Sequence, residues 1–357
     1  MEKKKIKVFR SKVIIFFVGG FTFLGQILAL LLLFNIPQGK TDSLDGEYNR
    51  TVEIASRFFY IGEIDSVQKY GNLLIEKYPE RSEGYRLMCM YWISENDWDK
   101  AIKWGKKAVK KNNRSGMAHH WLGRAFGLKA RNSSKFRAAF IVGDVLEHFK
   151  IAAEIMPEYL KTHEDLFSFY SGSPKIVGGS VKKAKEELEH VEQLDPYRGA
   201  EMKANYFLSL GEYELAEREI EKVIDMDSLN IATRWTKMHI LKNINVLAAR
   251  KQLRIIHKMT PEDSLKVFYQ LGLTYLSEGD SLQAGIEIYN RYISSSDAKS
   301  SPTYIASFWR LGMVYEKAGN YSIAKANYQE CLLRNPNFNP AKRSLKKLNK
   351  LIRSAEN

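Results

Sequence analysis

The chain has few of the residues that most often carry catalysis or bind metals. Its 357 residues include two cysteines and seven histidines, which form neither a C-x-x-C nor an H-E-x-x-H zinc motif. His119 and His120 are adjacent, so on a helix their side chains point about 100° apart and cannot share a metal as an i, i+4 pair does. The G-x-S-x-G turn, the Walker loop and the kinase motifs are also missing. These absences predict no catalytic residue, no metal ligand and no cofactor, and they argue against an enzyme.

Strand-like alternation of apolar and polar residues is also missing, whereas helical periodicity extends over most of the chain. The clearest example is the stretch Phe308–Pro336. The residues at apolar helical spacing are Phe308, Leu311, Gly312 and Tyr315 in a first helix, and Ala324, Tyr328 and Cys331 in a second. Gly319 and Asn320 supply the turn between the helices. Pro336 ends the second helix because proline cannot extend the hydrogen-bond ladder.

This stretch resembles a tetratricopeptide repeat (TPR), which has an aromatic residue, Leu-Gly, Tyr, Ala, Tyr, a small residue and Pro at the same spacing. In such a repeat Gly312 and Ala324 face each other, because larger side chains would force the two helices apart. One helix pair cannot bury its apolar face alone, so the resemblance implies a series of stacked pairs. The implied fold is all-α, a right-handed superhelical α-solenoid.

Related patterns recur from residue 48 to residue 337 and predict about eight helix-turn-helix repeats. The third pair is about ten residues longer than the 34-residue family unit, with the excess near residues 128–137. The fourth carries an insertion, Gly172–Ser180, and the sixth, near residues 231–261, matches least well. Residues 338–357 are predicted to form a Lys-rich capping helix and tail that close the open end of the array.

Cys89 and Cys331 occupy small packing positions in the second and eighth pairs. In a solenoid these positions lie far apart, whereas a disulfide requires a Cα separation of about 5.5–6 Å. We therefore expect both cysteines to be buried and unpaired.

The N-terminal segment predicts a membrane anchor. Residues 1–12 form a basic tail with six Lys or Arg, and residues 13–36 contain no charged residue. A helix of that length spans about 36 Å, enough for a hydrocarbon core of about 30 Å. A cleaved signal peptide would have a shorter apolar core and a small-residue cleavage site. The favoured prediction is therefore an uncleaved transmembrane helix followed by a short linker at residues 37–47.

The distribution of cations predicts the orientation of this anchor. Positive flanks stay on the cytoplasmic side in most single-span proteins, so the N-terminus is expected to be cytoplasmic. The repeats would then be extracytoplasmic, which means periplasmic in a bacterium. In a eukaryotic cell the same segment is compatible with an organelle-membrane anchor and cytosolic repeats.

The net charge of +14 lies mostly on the repeats rather than on the basic tail. The cations are scattered, which favours a solvated helical surface, with an anionic membrane or an acidic partner as alternatives. A nucleic acid partner is not expected, because no nucleic-acid-binding motif is present and an exported domain would not meet one.

A groove is the first candidate binding site. In TPR arrays the first helix of each pair lines the concave surface, and the resemblance transfers this role by position. The resulting partner-binding candidates are Phe59, Arg86, Met90, His120, Arg124, Tyr269 and Trp309. Aromatic, Met and Arg side chains together suit a protein or peptide ligand. The set of Lys and Asn with which some family members clamp a C-terminal carboxylate is not found in this sequence.

The insertion in the fourth pair is a second candidate, for an anion. Gly178 and Gly179 precede Ser180, a suitable N-cap, and Lys182 lies in the first turn of the next helix. Exposed amides at a helix start bind anions, so a phosphate or carboxylate ligand is one interpretation. The alternative is an irregular turn whose glycines adopt positive φ values.

The sequence thus favours a non-enzymatic, membrane-anchored TPR scaffold that binds a protein or peptide partner in the groove of the solenoid. Self-association through the repeats is a structural alternative. Lipid or small-ligand binding at the membrane surface is another, in which phenylalanines of the third pair would wall a pocket. These phenylalanines are Phe126, Phe136, Phe140 and Phe149.

Overall fold

The computed structural model describes residues 44–279 and 281–356. The predicted basic tail at 1–12, the membrane helix at 13–36 and residues 37–43 of the predicted linker lie outside the described residues, whereas linker residues 44–47 lie in the first described helix. Within the described ranges no helix is both long enough and apolar enough to cross a bilayer. The membrane anchor therefore stays a prediction.

The regular structure of residues 44–279 and 281–356 is helical throughout, which confirms the all-α expectation. Seventeen α-helices follow one another in this part of the chain. They are α1 Leu44–Ile61, α2 Ile64–Lys77, α3 Glu83–Ser94, α4 Trp98–Lys111, α5 Gly116–Arg131, α6 Lys135–Ile155, α7 Leu160–Gly172, α8 Val181–Leu194, α9 Pro196–Leu210, α10 Tyr213–Met226, α11 Ile231–Ile244, α12 Val246–Met259, α13 Ser264–Glu278, α14 Leu282–Ser294, α15 Tyr304–Lys317, α16 Tyr321–Arg334 and α17 Asn339–Glu356.

The helices form eight consecutive pairs, from α1 and α2 to α15 and α16, followed by the single helix α17. Each helix packs on the next one along the chain. First helices of neighbouring pairs also touch, as α1 does with α3, α3 with α5, and α13 with α15. The first helices therefore share one side of the array. We call the side formed by α1, α3, α5 and α7 the inner surface.

Close contact within a pair depends on a glycine in its first helix. In three pairs a Cβ added to this glycine would lie 2.6–2.8 Å from an aromatic ring of the second helix, much closer than real side chains approach. The pairs are Gly123 with Phe149, Gly272 with Tyr289 and Gly312 with Tyr328. The added atom at Gly312 would also lie 3.1 Å from the carbonyl oxygen of Ala324. The small residue predicted at Gly312 is thus required by the approach of the second helix.

Both cysteines are buried and unpaired, as predicted. Cys89 lies between the second and third pairs, with its Sγ 3.6 Å from the carbonyl oxygen of Trp121. Trp121 is itself fully buried in the core of the first four pairs. Burial raises the pKa of the Cys89 thiol to about 12 and that of Cys331 to about 11. Neither cysteine is therefore a reactive thiolate.

The third pair extends beyond its neighbours at the turn between its two helices. Helix α6 contains 21 residues, whereas α4, the second helix of the preceding pair, contains 14. Helix α6 therefore begins about two turns earlier. The insertion in the fourth pair forms a 3-10 turn at Lys175–Val177, which packs against α6. Both irregular segments thus lie at the same edge of the third and fourth pairs.

Candidate functional site

The predicted partner-binding residues divide into a buried and an accessible group. Arg86, Met90 and His120 are at most 2% exposed. The accessible candidates, all partly exposed, are Phe59, Arg124, Tyr269 and Trp309. A partner on the inner surface would thus meet Phe59 and Arg124, while the buried Arg86, Met90 and His120 are not accessible to it. Tyr269 and Trp309 lie on α13 and α15, outside the inner surface.

Arg86 is held by neighbours on three sides. Its Nη2 donates to Ser56 Oγ on α1 across 3.1 Å, and its Nη1 lies 3.0 Å from the sulfur of Met90. Its Nε donates to Glu83. A guanidinium buried with its donors occupied joins α1 to α3 and is not free to receive a partner carboxylate.

His120 lies at the centre of the first four pairs, beside α7. One ring nitrogen, Nδ1, hydrogen-bonds with Thr162 Oγ1 across 3.0 Å, and the ring meets that of Tyr159 edge-on at 5.2 Å. Burial, with the nearby cations of Arg124 and Arg86, lowers the pKa of His120 to about 3. The side chain is therefore neutral at physiological pH. Its Nε2 makes no hydrogen bond within the described chain and lies 3.9 Å from Asp165 Oδ2.

Arg124 and Asp165 present opposite charges at the inner surface. The Nε of Arg124 lies 3.7 Å from Oδ2 of Asp165, beyond hydrogen-bond distance. The guanidinium of Arg124 sits over the ring of Trp121 at 4.8 Å, and 36% of its side chain is exposed. Burial raises the pKa of Asp165 to about 6, although Arg124 acts in the opposite direction. The site thus holds a partly buried carboxylate beside a cation that does not hydrogen-bond to it.

Aromatic residues of the first pair extend this site. The ring of Phe59 packs edge-on against Trp121 at 5.0 Å, and Tyr60, which is 62% exposed, packs edge-on against Phe59. Burial and a hydrogen bond with Tyr60 raise the pKa of Tyr159. The end of helix α1 therefore approaches the start of α7 at the inner surface.

We call the residues that meet here the inner cluster. Its members are Tyr60, His120, Arg124, Tyr159 and Asp165. Sequence reasoning identified His120 and Arg124 but missed Asp165 and Tyr159, which belong to the fourth pair.

Beside the inner cluster, Glu164 links the fourth pair to the fifth. It accepts hydrogen bonds from Arg198 Nε at 2.5 Å and from Lys161 Nζ at 2.8 Å. Burial acts to raise the pKa of Glu164, but these two cations together lower it. Glu164 and Arg198 are separated by 34 residues, which is the length of one family repeat. A search of the sequence for opposite charges one repeat length apart would have predicted this contact.

Tyr269 and Trp309 lie in the seventh and eighth pairs and are not part of the inner cluster. Tyr269 packs against the rings of Tyr289 and Tyr292. Trp309 donates from Nε1 to Ser344 Oγ of the capping helix α17 across 3.0 Å. Both side chains thus have a packing role in addition to their partial exposure.

In the predicted anion site the backbone amides are already engaged. The amide of Gly179 donates to Pro174 O at 3.1 Å, and that of Ser180 donates to Tyr170 O at 2.9 Å. The hydroxyl of Ser180 accepts from the amide of Lys183, as expected of an N-cap. The remaining predicted residues are Gly178, which has a φ of 99°, and Lys182, which is exposed and lies 3.8 Å from Glu186. This geometry agrees with the alternative interpretation of an irregular turn.

The four phenylalanines of the third pair do not surround a common pocket. Phe126 and Phe149 are buried in the core, whereas Phe136 and Phe140 are 75% and 73% exposed. Over residues 44–279 and 281–356, no group of three or more His, Cys, Asp or Glu is arranged to hold a metal ion.

Comparison with known proteins gives the fold its family context. Residues 305–338 match the family model described as Tetratricopeptide repeat. Among solved structures, the C-terminal part of a TPR repeat-containing protein from Cytophaga hutchinsonii is similar with 10% sequence identity and a TM-score of 0.50. That similarity covers 72% of this chain and 98% of that one. The family match and the shared fold support a TPR protein.

Two further structures are similar at lower TM-scores. A tetratricopeptide repeat protein from Parabacteroides merdae is 14% identical, with a TM-score of 0.49 over 78% of this chain and 98% of that one. A thermophilic TPR protein of Thermus thermophilus is 17% identical, with a TM-score of 0.46 over 54% of this chain and 98% of that one. No curated protein matches the chain.

Proposed function

We propose that the chain is a non-enzymatic scaffold that holds a protein or peptide partner on its inner surface, with the inner cluster as the main contact. A TPR-type fold is consistent with protein–protein interaction. One observation carries the proposal: Arg124 and Asp165 lie side by side, partly accessible, without a hydrogen bond between them. Such groups retain the capacity to bind a ligand, because each loses solvation without gaining a full partner.

The chemistry of the inner cluster indicates the kind of segment that would bind. Arg124 offers donors and Asp165 offers acceptors, so a peptide with a carbonyl or carboxylate next to an N–H group would satisfy both. The rings of Phe59 and Tyr60 supply apolar contact area beside these charges. Aromatic residues and Arg are the side chains that most often dominate binding at protein interfaces.

A second part of the proposal concerns where the scaffold is located. We propose that residues 13–36 anchor the chain in a membrane with the N-terminus in the cytoplasm and the repeats on the extracytoplasmic side. The uncharged length of this segment and its basic flank support the proposal. Anchoring would raise the effective concentration of the inner surface near other membrane components.

The test is crosslinking pull-down of the full-length chain from native membranes, comparing wild type with Arg124→Glu. The matched control is Arg254→Glu, at an exposed position on α12 far from the inner cluster along the chain. We expect Arg124→Glu to weaken partner capture roughly tenfold or more, as truncation of a central interface Arg does, and Arg254→Glu to leave it unchanged. Equal capture by both variants would refute binding at the inner cluster.

A further inference from the structure

We infer that the turn between α5 and α6 is a docking surface for an anionic lipid bilayer. We call residues 128–143 the hairpin tip. It contains the two additional turns of α6 and lies at the edge where the third pair extends beyond the second. The inference rests on the hairpin tip and the neighbouring insertion, and it does not depend on what the inner surface binds.

The hairpin tip exposes a pair of aromatic rings. Phe136 is 75% and Phe140 is 73% exposed, and their rings meet edge-on with centroids 5.1 Å apart. The two residues are four apart on α6, so they share one face of the helix. Burying each ring would remove a large apolar area from water. The pair therefore has the character of a contact surface rather than of isolated surface residues.

The charged residues of the hairpin tip are all cations. Residues 128–143 include Lys129, Arg131, Lys135 and Arg137 and no acidic residue. Lys129 pairs with Asp99 at 2.5 Å, and the other three are exposed. The tip thus carries net positive charge beside the two phenylalanines, and the next charged residue along α6 is the exposed Asp144, four residues after Phe140.

The neighbouring insertion of the fourth pair also combines an exposed apolar side chain with a lysine. The insertion, Gly172–Ser180, contains Lys175 and no acidic residue. Lys182, Lys183 and Lys185 follow at the start of α8, where Lys182 lies 3.8 Å from Glu186. The 3-10 turn that packs against α6 carries an exposed Lys175 and an Ile176 that is 94% exposed. Both segments that depart from the regular repeat therefore combine exposed apolar side chains with positive charge, at one edge of the array.

An anionic bilayer is the occupant that this combination favours. Aromatic side chains partition into the interfacial region of a membrane, and Lys or Arg beside them are attracted to anionic headgroups. The charged side chains of the hairpin tip are of one sign, which suits a uniformly negative surface better than a protein surface that carries charges of both signs.

The experiment places an environment-sensitive fluorophore, NBD, at the hairpin tip of the full-length chain. Ala139→Cys gives an exposed attachment site between the two phenylalanines. Cys89 and Cys331 are fully buried, so the introduced thiol is the one expected to react. The matched control is NBD at Leu229→Cys, a 76% exposed position in the loop between α10 and α11. Each labelled protein is reconstituted in phosphatidylcholine vesicles with and without phosphatidylserine.

We expect the emission of the label at position 139 to shift to the blue and rise roughly twofold or more when phosphatidylserine is present, as a probe does on entering the interface. Quenching by spin-labelled lipid should accompany the rise, and the label at position 229 should not respond. Lys135→Glu with Arg137→Glu should abolish the rise without altering the thermal unfolding of the chain, since these side chains are exposed. Phe136→Ser with Phe140→Ser should do the same.

Two results would overturn the inference. One is an unchanged emission at position 139 in both kinds of vesicle. The other is a rise that depends on protein concentration and not on phosphatidylserine, which would identify a second copy of the chain as the occupant. Neither result would bear on partner capture through Arg124, so the two proposals fail separately.

Discussion

The Nε of Arg124 lies 3.7 Å from Oδ2 of Asp165, at the meeting point of the third and fourth helix pairs. At this separation the two charges attract each other but do not form a hydrogen bond. Asp165 is nevertheless partly buried, and this burial raises its pKa to about 6. The fold therefore maintains a carboxylate and a guanidinium that are incompletely satisfied, and this arrangement has measurable consequences.

The first consequence concerns Asp165→Asn. Because the pKa of Asp165 is raised from 3.8 to about 6, its charged form opposes folding, and that cost is fully present above pH 6. We expect the variant to be more stable than wild type by about 1 kcal/mol near pH 7.5. This is less than the free energy that corresponds to the whole pKa shift, because the carboxylate is partly exposed. The gain should vanish below the ordinary pKa of 3.8, where the carboxyl is protonated in both states. Denaturant unfolding at several pH values measures the difference, and a gain independent of pH would contradict the assignment.

The second consequence concerns His120. Its pKa is lowered from 6.5 to about 3. As the pH falls below 6.5, the histidine therefore becomes protonated in the unfolded chain but stays neutral in the folded chain. This contribution to stability is present above pH 6.5 and is lost as the pH falls toward 3. Between pH 6.5 and 3, this group makes the free energy of unfolding fall by up to about 1.4 kcal/mol per pH unit, and His120→Gln should remove that part of the slope. Unfolding free energies measured across that range, with His257→Gln as a control for a histidine without such burial, would show it.

The third prediction compares two glycines in helices. A methyl group at Gly312 would lie 2.6 Å from the ring of Tyr328, whereas one at Gly143 would meet no atom within 4 Å. Gly312→Ala should lower the free energy of unfolding by about 1–2 kcal/mol, since overpacking outweighs the gain in helix propensity. Gly143→Ala should raise it by about 0.5–1 kcal/mol, because propensity acts alone there. Thermal or chemical denaturation of the two variants tests the pair. Equal effects would mean that Tyr328 yields easily to the added atom.

Much of the fold could be predicted from the sequence because its interactions are local and repeated. The spacing of Leu311, Gly312 and Tyr315, the turn at Gly319 and the stop at Pro336 specify one helix pair from within a short stretch. Helices α15 and α16 have this form, and Gly319 adopts a φ of 79° in the turn.

The accessibility of individual groove residues was harder to predict. Helical periodicity places Arg86 and Met90 on one face of α3, but it does not show what covers that face. The contact between Arg86 and Ser56 shows that α1 covers it. Helix α3 packs against α1, α2, α4 and α5, so a face that appears accessible in one helix is buried once the array is assembled.

Contacts between repeats were the other part that sequence reasoning missed. Asp165 and Tyr159 join the inner cluster from the pair that follows His120 and Arg124. Their placement depends on how far one pair is rotated against the next, which no single repeat encodes. Opposite charges about one repeat apart, such as Glu164 and Arg198, predict some of these contacts between neighbouring pairs.

The most direct measurement is site-specific photo-crosslinking of the full-length chain in native membranes. A photoreactive phenylalanine analogue would replace Tyr60, at the edge of the inner cluster, or Tyr321, an exposed residue at the start of α16. If the inner surface binds the partner, position 60 should form a discrete crosslinked product that Arg124→Glu removes, and position 321 should form none. A product from position 321 alone, or one from position 60 that persists in Arg124→Glu, would contradict binding at the inner cluster.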